Sequence, residues 1–331
     1  MVTPKEVALT IQERINPQAR EALDGMLTAL PGGLGAIADL TDRRTTLYAI
    51  VAAESAAAAE NVRVVFEDRT VGAQEDFAAV RVRIYRPAGI ETTLPAIVYL
   101  HGGGLSMGNL ALEHNICLML AEAVTAVVVA VDYRLAPENP FPAASDDTYA
   151  ALRWVAASSA ELTVDPDRIA IVGMSAGANL AAGVALRARD AGGPSLRLQM
   201  LGYPMVDDTN TTASSHEFLN VGVWDRLSNI EAWTFYLGDT YGTDRISRYA
   251  APARASDLAG LPPTYIDIAE LDVMRDEGLT YATRLVQAEV ATELHLHPGA
   301  FHAVEIFASQ SDLAQRIWAL RISALNRALT S

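Results

Sequence analysis

A single cysteine, Cys117, stands in a chain of 331 residues. One thiol cannot close an internal disulfide, and there is no cysteine cluster to hold zinc. Cys117 lies in the apolar run Ile116-Cys117-Leu118-Met119-Leu120, so it reads as a small buried hydrophobe rather than a nucleophile. Basic residues are also scarce: 25 Lys and Arg against 40 Asp and Glu give a formal net charge of -15. A surface of that sign repels phosphate backbones and anionic lipid heads, which argues against nucleic acid and membrane surfaces as partners. No run of about 18 apolar residues occurs, so no membrane span is expected. The first residues lack a basic start followed by an apolar stretch, so no secretory signal is expected and a cytoplasmic location follows by default.

What the chain has is an ordinary globular composition, 50% hydrophobic and 20% charged. Residues 1–60 read as helical, with a Gly-rich break at Pro31-Gly32-Gly33 and a strongly helix-forming stretch over 50–60. The texture then changes. Runs at 62–71 and 80–87 read as an initial pair of strands. Short, almost wholly apolar or β-branched runs follow at 96–100, 126–131, 169–172, 196–201, 264–269 and 292–297. Helical patterns over 110–124, 143–158, 177–191, 276–288 and 303–328 separate or follow them. Strand-helix alternation of this kind predicts an α/β fold with a mostly parallel sheet covered on both faces. Residues 205–245 break the alternation: a polar string, Asp207 to Thr212, precedes the scattered aromatics Phe218, Trp224, Trp233, Phe235 and Tyr236. This segment reads as an insertion.

The segment Gly173-Met174-Ser175-Ala176-Gly177 follows one apolar strand and precedes a helix-forming stretch, which is the context a G-x-S-x-G nucleophile elbow requires. The serine must sit on a tight, strained turn, so the residues two before and two after it are pressed together and have to be small. A second glycine run, His101-Gly102-Gly103-Gly104, ends the strand at 96–100. Acyl transfer develops negative charge on a carbonyl oxygen, and backbone N–H groups on a side-chain-free loop can meet it. The expected donors are Gly103, Gly104 and Ala176, the residue after the nucleophile. No Lys-Ser or Lys-Thr follows the glycines, and their spacing is not G-x-G-x-x-G, so neither a P-loop nor a dinucleotide site is indicated.

A serine nucleophile needs a base, and in this strand-turn-helix arrangement the chain order is nucleophile, acid, histidine. That order removes His101 and His114, while His216 lies in the presumed insertion. His295 and His297 fall inside a strand pattern. His302 lies just beyond that strand and is the candidate base. The acid should follow the strand at 264–269, where Asp267 is mid-strand and Asp276 and Glu277 open a helix. Asp272, in the loop between, is the candidate, with Glu270 second.

Taken together, these motifs resemble the hormone-sensitive-lipase-like family of carboxylesterases, from about residue 95 to the C-terminus. The likeness rests on His101-Gly102-Gly103-Gly104, Asp132-Tyr133-Arg134-Leu135-Ala136-Pro137-Glu138, Gly173 to Gly177, the run from Asp272 to Gly278, and His302. It implies an α/β-hydrolase core of eight mostly parallel strands at 61–204 and 246–331. It also implies N-terminal cap helices at 1–60 and a cap insertion at 205–245. The implied activity is hydrolysis of short-chain carboxylic esters through a Ser175–Asp272–His302 triad and an acyl-enzyme. The implied site needs no metal or organic cofactor, and the partner is a small-molecule ester. Glu138 is implied to be paired within a brace behind the site. The chain departs from many members at Met174, Ala178 and Ala303, which touches substrate preference more than chemistry. Phe218, Trp224 and Trp233 are candidates to line an acyl or alcohol pocket. Amide or lactone cleavage on the same triad is the alternative within hydrolases, and a ligand-binding protein that has lost catalysis is the alternative outside them. A homo-oligomer is compatible with the sequence.

Overall fold

The computed structural model describes residues 10–57, 63–71, 78–219 and 221–330. The outer parts of the expected cap region, 1–9 and 58–60, lie outside these residues. Eight strands form one sheet: β1 Val64–Val71, β2 Val80–Pro87, β3 Leu94–Leu100, β4 Val127–Asp132, β5 Val164–Met174, β6 Leu198–Gly202, β7 Thr264–Leu271 and β8 Thr292–Phe301. Their order is β1-β2-β4-β3-β5-β6-β7-β8. β2 runs antiparallel to both β1 and β4, and every other pairing is parallel. The apolar runs become the central strands because parallel strands bury both faces, and every residue of β3 and β6 is buried.

Alternation along the strands feeds two cores. Val98, Val129 and Ile171 pack with helices Ala143–Ala157 and Ala176–Ala191 on one side of the sheet. Ile97, Val128 and Val172 pack with helices His114–Val124 and Asp312–Thr330 on the other. The helix expected over 110–124 starts only at His114, because the Asn109 side chain accepts from the N–H groups of Ala111 and Leu112 and holds a turn there. The helix expected over 303–328 is two helices, Val304–Phe307 and Asp312–Thr330. Ser311 separates them, its hydroxyl accepting from Ala314 N–H as a cap. β8 extends beyond its expected end through Pro298 and Gly299, since Phe301 pairs with Leu271 after a register shift.

Two regions outside the alternation meet above the sheet. Helices Pro17–Ala29 and Leu40–Ala57 come from the N-terminal region, and Ala213–Glu217 and Arg226–Leu237 come from the stretch between β6 and β7. Arg43 of the first region is ion-paired with Glu231 of the second. Arg44 donates to Ser106 O at 2.7 Å and to Ala136 O at 2.9 Å, and its guanidinium pairs with Glu138. Thus Glu138 is engaged in an ion pair, tying the N-terminal region to the loops at the strand ends.

Beneath those loops lies a buried ionic cluster. Arg321 makes two bonds to Asp267, at 2.7 and 2.9 Å, and one to Glu305 at 2.7 Å. Tyr203 OH donates to the same Glu305 oxygen at 2.7 Å. Burial alone would raise the Asp267 carboxyl, but the Arg321 guanidinium and His297 hold it below the usual carboxylate range. Removing one member leaves the others charged, buried and unpaired. Arg321→Ala is therefore expected to cost about 3–5 kcal/mol in chemical denaturation. A midpoint unchanged from wild type would show the cluster to be energetically idle.

Candidate active site

Ser175 stands between β5 and helix Ala176–Ala191 with φ 56 and ψ -118, a left-handed conformation that a non-glycine residue adopts only under constraint. The constraint is steric. A Cβ at Gly173 would fall 2.1 Å from Gly177 O, and one at Gly177 would fall 2.0 Å from Leu100 O. The turn is thus folded on itself and pressed against the end of β3, and only glycine fits at either flank. Ser175 N–H donates to Gly202 O at 2.9 Å, which fastens the turn to β6 as well.

The other two sequence-derived candidates converge on this serine. Asp272 directly follows β7, and His302 directly follows β8. His302 Nδ1 lies 2.7 Å from Asp272 Oδ2, and His302 Nε2 lies 3.0 Å from Ser175 Oγ. An Nδ1–H donor to the carboxylate leaves Nε2 as the acceptor for the serine hydroxyl. Asp272 Oδ1 accepts from Met274 N–H at 3.1 Å, so both carboxylate oxygens are engaged. All three side chains are buried. The remaining candidates lie elsewhere. Glu270 accepts from Gly299 N–H at 2.7 Å and pairs with Arg14. Asp276 and Glu277 accept from backbone N–H groups of Ser214 and Val206.

The glycine loop is held peptide by peptide. Tyr133 OH donates to His101 O at 2.7 Å, and Gly102 N–H donates to Glu113 Oε1 at 2.8 Å. His101 Nδ1 lies 2.7 Å from Gly102 O. Burial lowers the His101 imidazole to about 4, so it is neutral and donates there. Gly103 O accepts from Met107 N–H at 2.9 Å. With both carbonyls occupied, the N–H groups of Gly103 and Gly104 point the opposite way, and they have no acceptor among the described residues. Ala176, at the first position of its helix, has an N–H without an intrahelical acceptor.

Gly102, Gly103, Gly104, Ser175 and His302 border one cavity of about 120 Å³. Its other walls are mostly apolar, among them Leu34 and Leu47 from the N-terminal region, Met107, Val223, Trp224 and Phe307, with Glu113 and Tyr203 as the polar side chains that also border it. Trp224 lies so close that a Cβ at Gly104 would fall 2.4 Å from its Cη2. Its ring is also stacked near His302, with centroids 6.0 Å apart. Of the three aromatics expected in the pocket, only Trp224 borders it. Phe218 and Trp233 are fully buried and belong to the core, where a large apolar side chain gains most from leaving water. A larger groove, about 500 Å³, lies by β1 between Phe66, Arg86 and Glu161 and contains no nucleophile-base pair. Among the described residues, no group of three or more His, Cys, Asp or Glu is placed to hold a metal ion. None of their helices is long and apolar enough to cross a membrane.

Residues 97–306 match a family model described as alpha/beta hydrolase fold. The chain belongs to this family. Within the α/β-hydrolase fold its relatives are the hormone-sensitive-lipase-like carboxylesterases. It is 41% identical over 265 residues to carboxylesterase NlhH of Mycobacterium tuberculosis, covering 80% of this chain and 82% of that protein. It is 36% identical over 226 residues to an ethyl acetate hydrolase of Pseudomonas putida, covering 67% of this chain and 70% of that one. A solved bacterial heroin esterase superposes with a TM-score of 0.91 at 37% identity, covering 97% of this chain and 100% of that chain.

Sequence reasoning missed Glu113, Tyr203 and Arg44. Glu113 sits at the start of helix His114–Val124 and carries no motif, Arg44 lies in a helix far from the site in sequence, and Tyr203 follows β6 without a pattern. Tyr203 stands directly after β6, the strand beside the elbow strand, and its ring meets His302 edge-on at 4.8 Å. In this α/β-hydrolase the elbow itself is the steric crux. Gly177→Ala is expected to lose about 1–3 kcal/mol from overpacking, together with most ester turnover. A stable and fully active Gly177→Ala would contradict the close approach of Leu100 O.

Proposed function

We propose that this carboxylesterase hydrolyses short-chain esters with Ser175 as nucleophile, His302 as base and Asp272 as the acid that orients it. The unbroken chain from Ser175 Oγ through His302 to Asp272, at 3.0 and 2.7 Å, carries the reading. His302 Nε2 takes the serine proton as Ser175 attacks the ester carbonyl. Asp272 keeps the imidazole in the tautomer that can accept and stabilises the imidazolium that forms. The carbonyl oxygen gains charge as it becomes tetrahedral, and the N–H groups of Gly103, Gly104 and Ala176 receive it. Collapse of the intermediate expels the alcohol with the proton held by His302. Water, deprotonated by the same imidazole, then releases the acid from the acyl-serine.

Substrate size follows from the cavity. Its volume of about 120 Å³ is well below the roughly 300–1,000 Å³ of pockets that enclose drug-sized molecules. Apolar walls with Trp224 over the glycine loop favour a small neutral acyl group. The similarity to an ethyl acetate hydrolase supports the same preference. The N-terminal helices and the 205–245 segment act as a cap that excludes water, since Leu34, Leu47, Val223 and Trp224 from those two regions wall the cavity.

The test is kinetic. Ser175→Ala is expected to lower kcat on p-nitrophenyl acetate by at least about a thousandfold with an unchanged circular dichroism spectrum. His302→Ala is expected to lose at least about a hundredfold. Wild-type kcat/KM is expected to be highest among the acetate to hexanoate esters and to fall toward laurate. Substantial turnover by Ser175→Ala, or a maximum at laurate, would refute the nucleophile or the chain-length reading respectively.

A further inference from the structure

The glycine loop is only as useful as the direction in which its N–H groups point, and Glu113 fixes that direction from behind. Its carboxyl is buried between β3 and the glycine loop. One oxygen accepts from Gly102 N–H at 2.8 Å, and the other accepts the hydroxyl of Tyr99, which is itself buried on β3. Gly102 begins the loop, and a Cβ there would lie 3.4 Å from the Glu113 carboxyl and 3.7 Å from the Ser175 Cβ. Carboxyl, loop and nucleophile are therefore layered in direct contact. The same peptide unit is gripped at its other end by Tyr133 OH on His101 O. With both polar ends of the 101–102 peptide bonded, its plane is fixed, and the next two planes, which carry Gly103 N–H and Gly104 N–H and are held by His101 on Gly102 O and by Met107 N–H on Gly103 O, start from that fixed plane.

We propose that Glu113, which borders the cavity with both its carboxyl oxygens already engaged by Gly102 N–H and Tyr99 OH, is a positioning residue for the oxyanion cradle, acting through Gly102. This rests on the triad reading above. Burial pushes the Glu113 carboxyl up to about 7, so a neutral acid is populated at neutral pH and a glutamine is a fair mimic of it. Glutamine can accept from Gly102 N–H through its carbonyl and donate to Tyr99 through its amide. Leucine can do neither and leaves both groups buried without a partner.

The experiment compares Glu113→Gln and Glu113→Leu with wild type on p-nitrophenyl acetate, together with inhibition by a trifluoromethyl ketone, whose hemiketal adduct with the Ser175 oxygen carries an oxyanion that mimics the tetrahedral oxygen. Glu113→Leu is expected to lose about a hundredfold in kcat, the loss typical of one oxyanion donor, with little change in KM. Its affinity for the ketone should fall by the same factor. Glu113→Gln should stay within about threefold of wild type on both counts. If Glu113→Leu does not fold, Tyr99→Phe/Glu113→Leu removes the stranded hydroxyl and carries the same readout. A leucine variant with wild-type kcat and ketone affinity would overturn the proposal, as would a glutamine variant as damaged as leucine. Equal losses in kcat and in thermal stability without loss of ketone affinity would also overturn it, by showing a purely structural role. Fluorophosphonate labelling of wild-type Ser175 separates the two readings. No label on wild type would sink the triad reading, whereas labelled wild type beside a fully active leucine variant would sink only the role of Glu113.

Discussion

The turn at Ser175 holds a side chain in a backbone conformation that costs on the order of 1–3 kcal/mol, and it persists because its surroundings leave no alternative. Gly173 and Gly177 are in contact across it, Leu100 O closes one side, and Gly202 O accepts the serine N–H on the other. The last two of these constraints come from the ends of the neighbouring parallel strands β3 and β6. The strain is therefore met by sheet pairing and by two buried cores, far from the reacting atoms. The result is a hydroxyl that projects beyond the sheet, with a fresh helix N-terminus and its unsatisfied N–H groups beside it.

The strand order explains how residues remote in sequence meet there. β3, β5, β7 and β8 are parallel and all end on the same side of the sheet. The loop after β3 supplies glycine amides, the one after β5 supplies the serine, and those after β7 and β8 supply Asp272 and His302. The antiparallel pair β1 and β2 lies at one edge and contributes nothing to this cluster. Behind it, charge is distributed by burial. Asp267 is kept ionised by Arg321, His101 is kept neutral, and burial pushes Glu113 up to about 7, so the negative charge behind the glycine loop is reduced at neutral pH. Above it, Arg44 joins the N-terminal region to Ser106 O and Glu138, coupling the roof of the cavity to the glycine loop.

The central features were legible because they are local. G-x-S-x-G between a strand and a helix encodes a steric requirement within five residues, and His-Gly-Gly-Gly at a strand end encodes an exposed row of amides. Asp272 and His302 were legible because chain order and strand ends restrict where an acid and a base can stand. The central strands were legible as apolar runs, although β5 and β8 proved longer than their apolar centres. What was not legible depends on contacts between distant segments. Nothing near Glu113 in the chain says that its carboxyl will lie under Gly102, and nothing near Arg44 announces Glu138. Phe218 and Trp233 have the same surroundings in sequence as Trp224, yet only packing decided that two enter the core and one borders the cavity. The split of the last helix was written in Ser309-Gln310-Ser311-Asp312, a capping pattern whose helical periodicity on either side concealed the break.

The account stands on a covalent bond to one oxygen atom, and that bond can be weighed. Wild-type protein mixed with p-nitrophenyl acetate, quenched in acid during the first turnovers, digested and analysed by mass spectrometry should carry an acetyl group on Ser175. A quenched enzyme that turns over the ester yet carries its acetyl group on another residue, or none under conditions where deacylation limits the rate, would contradict it.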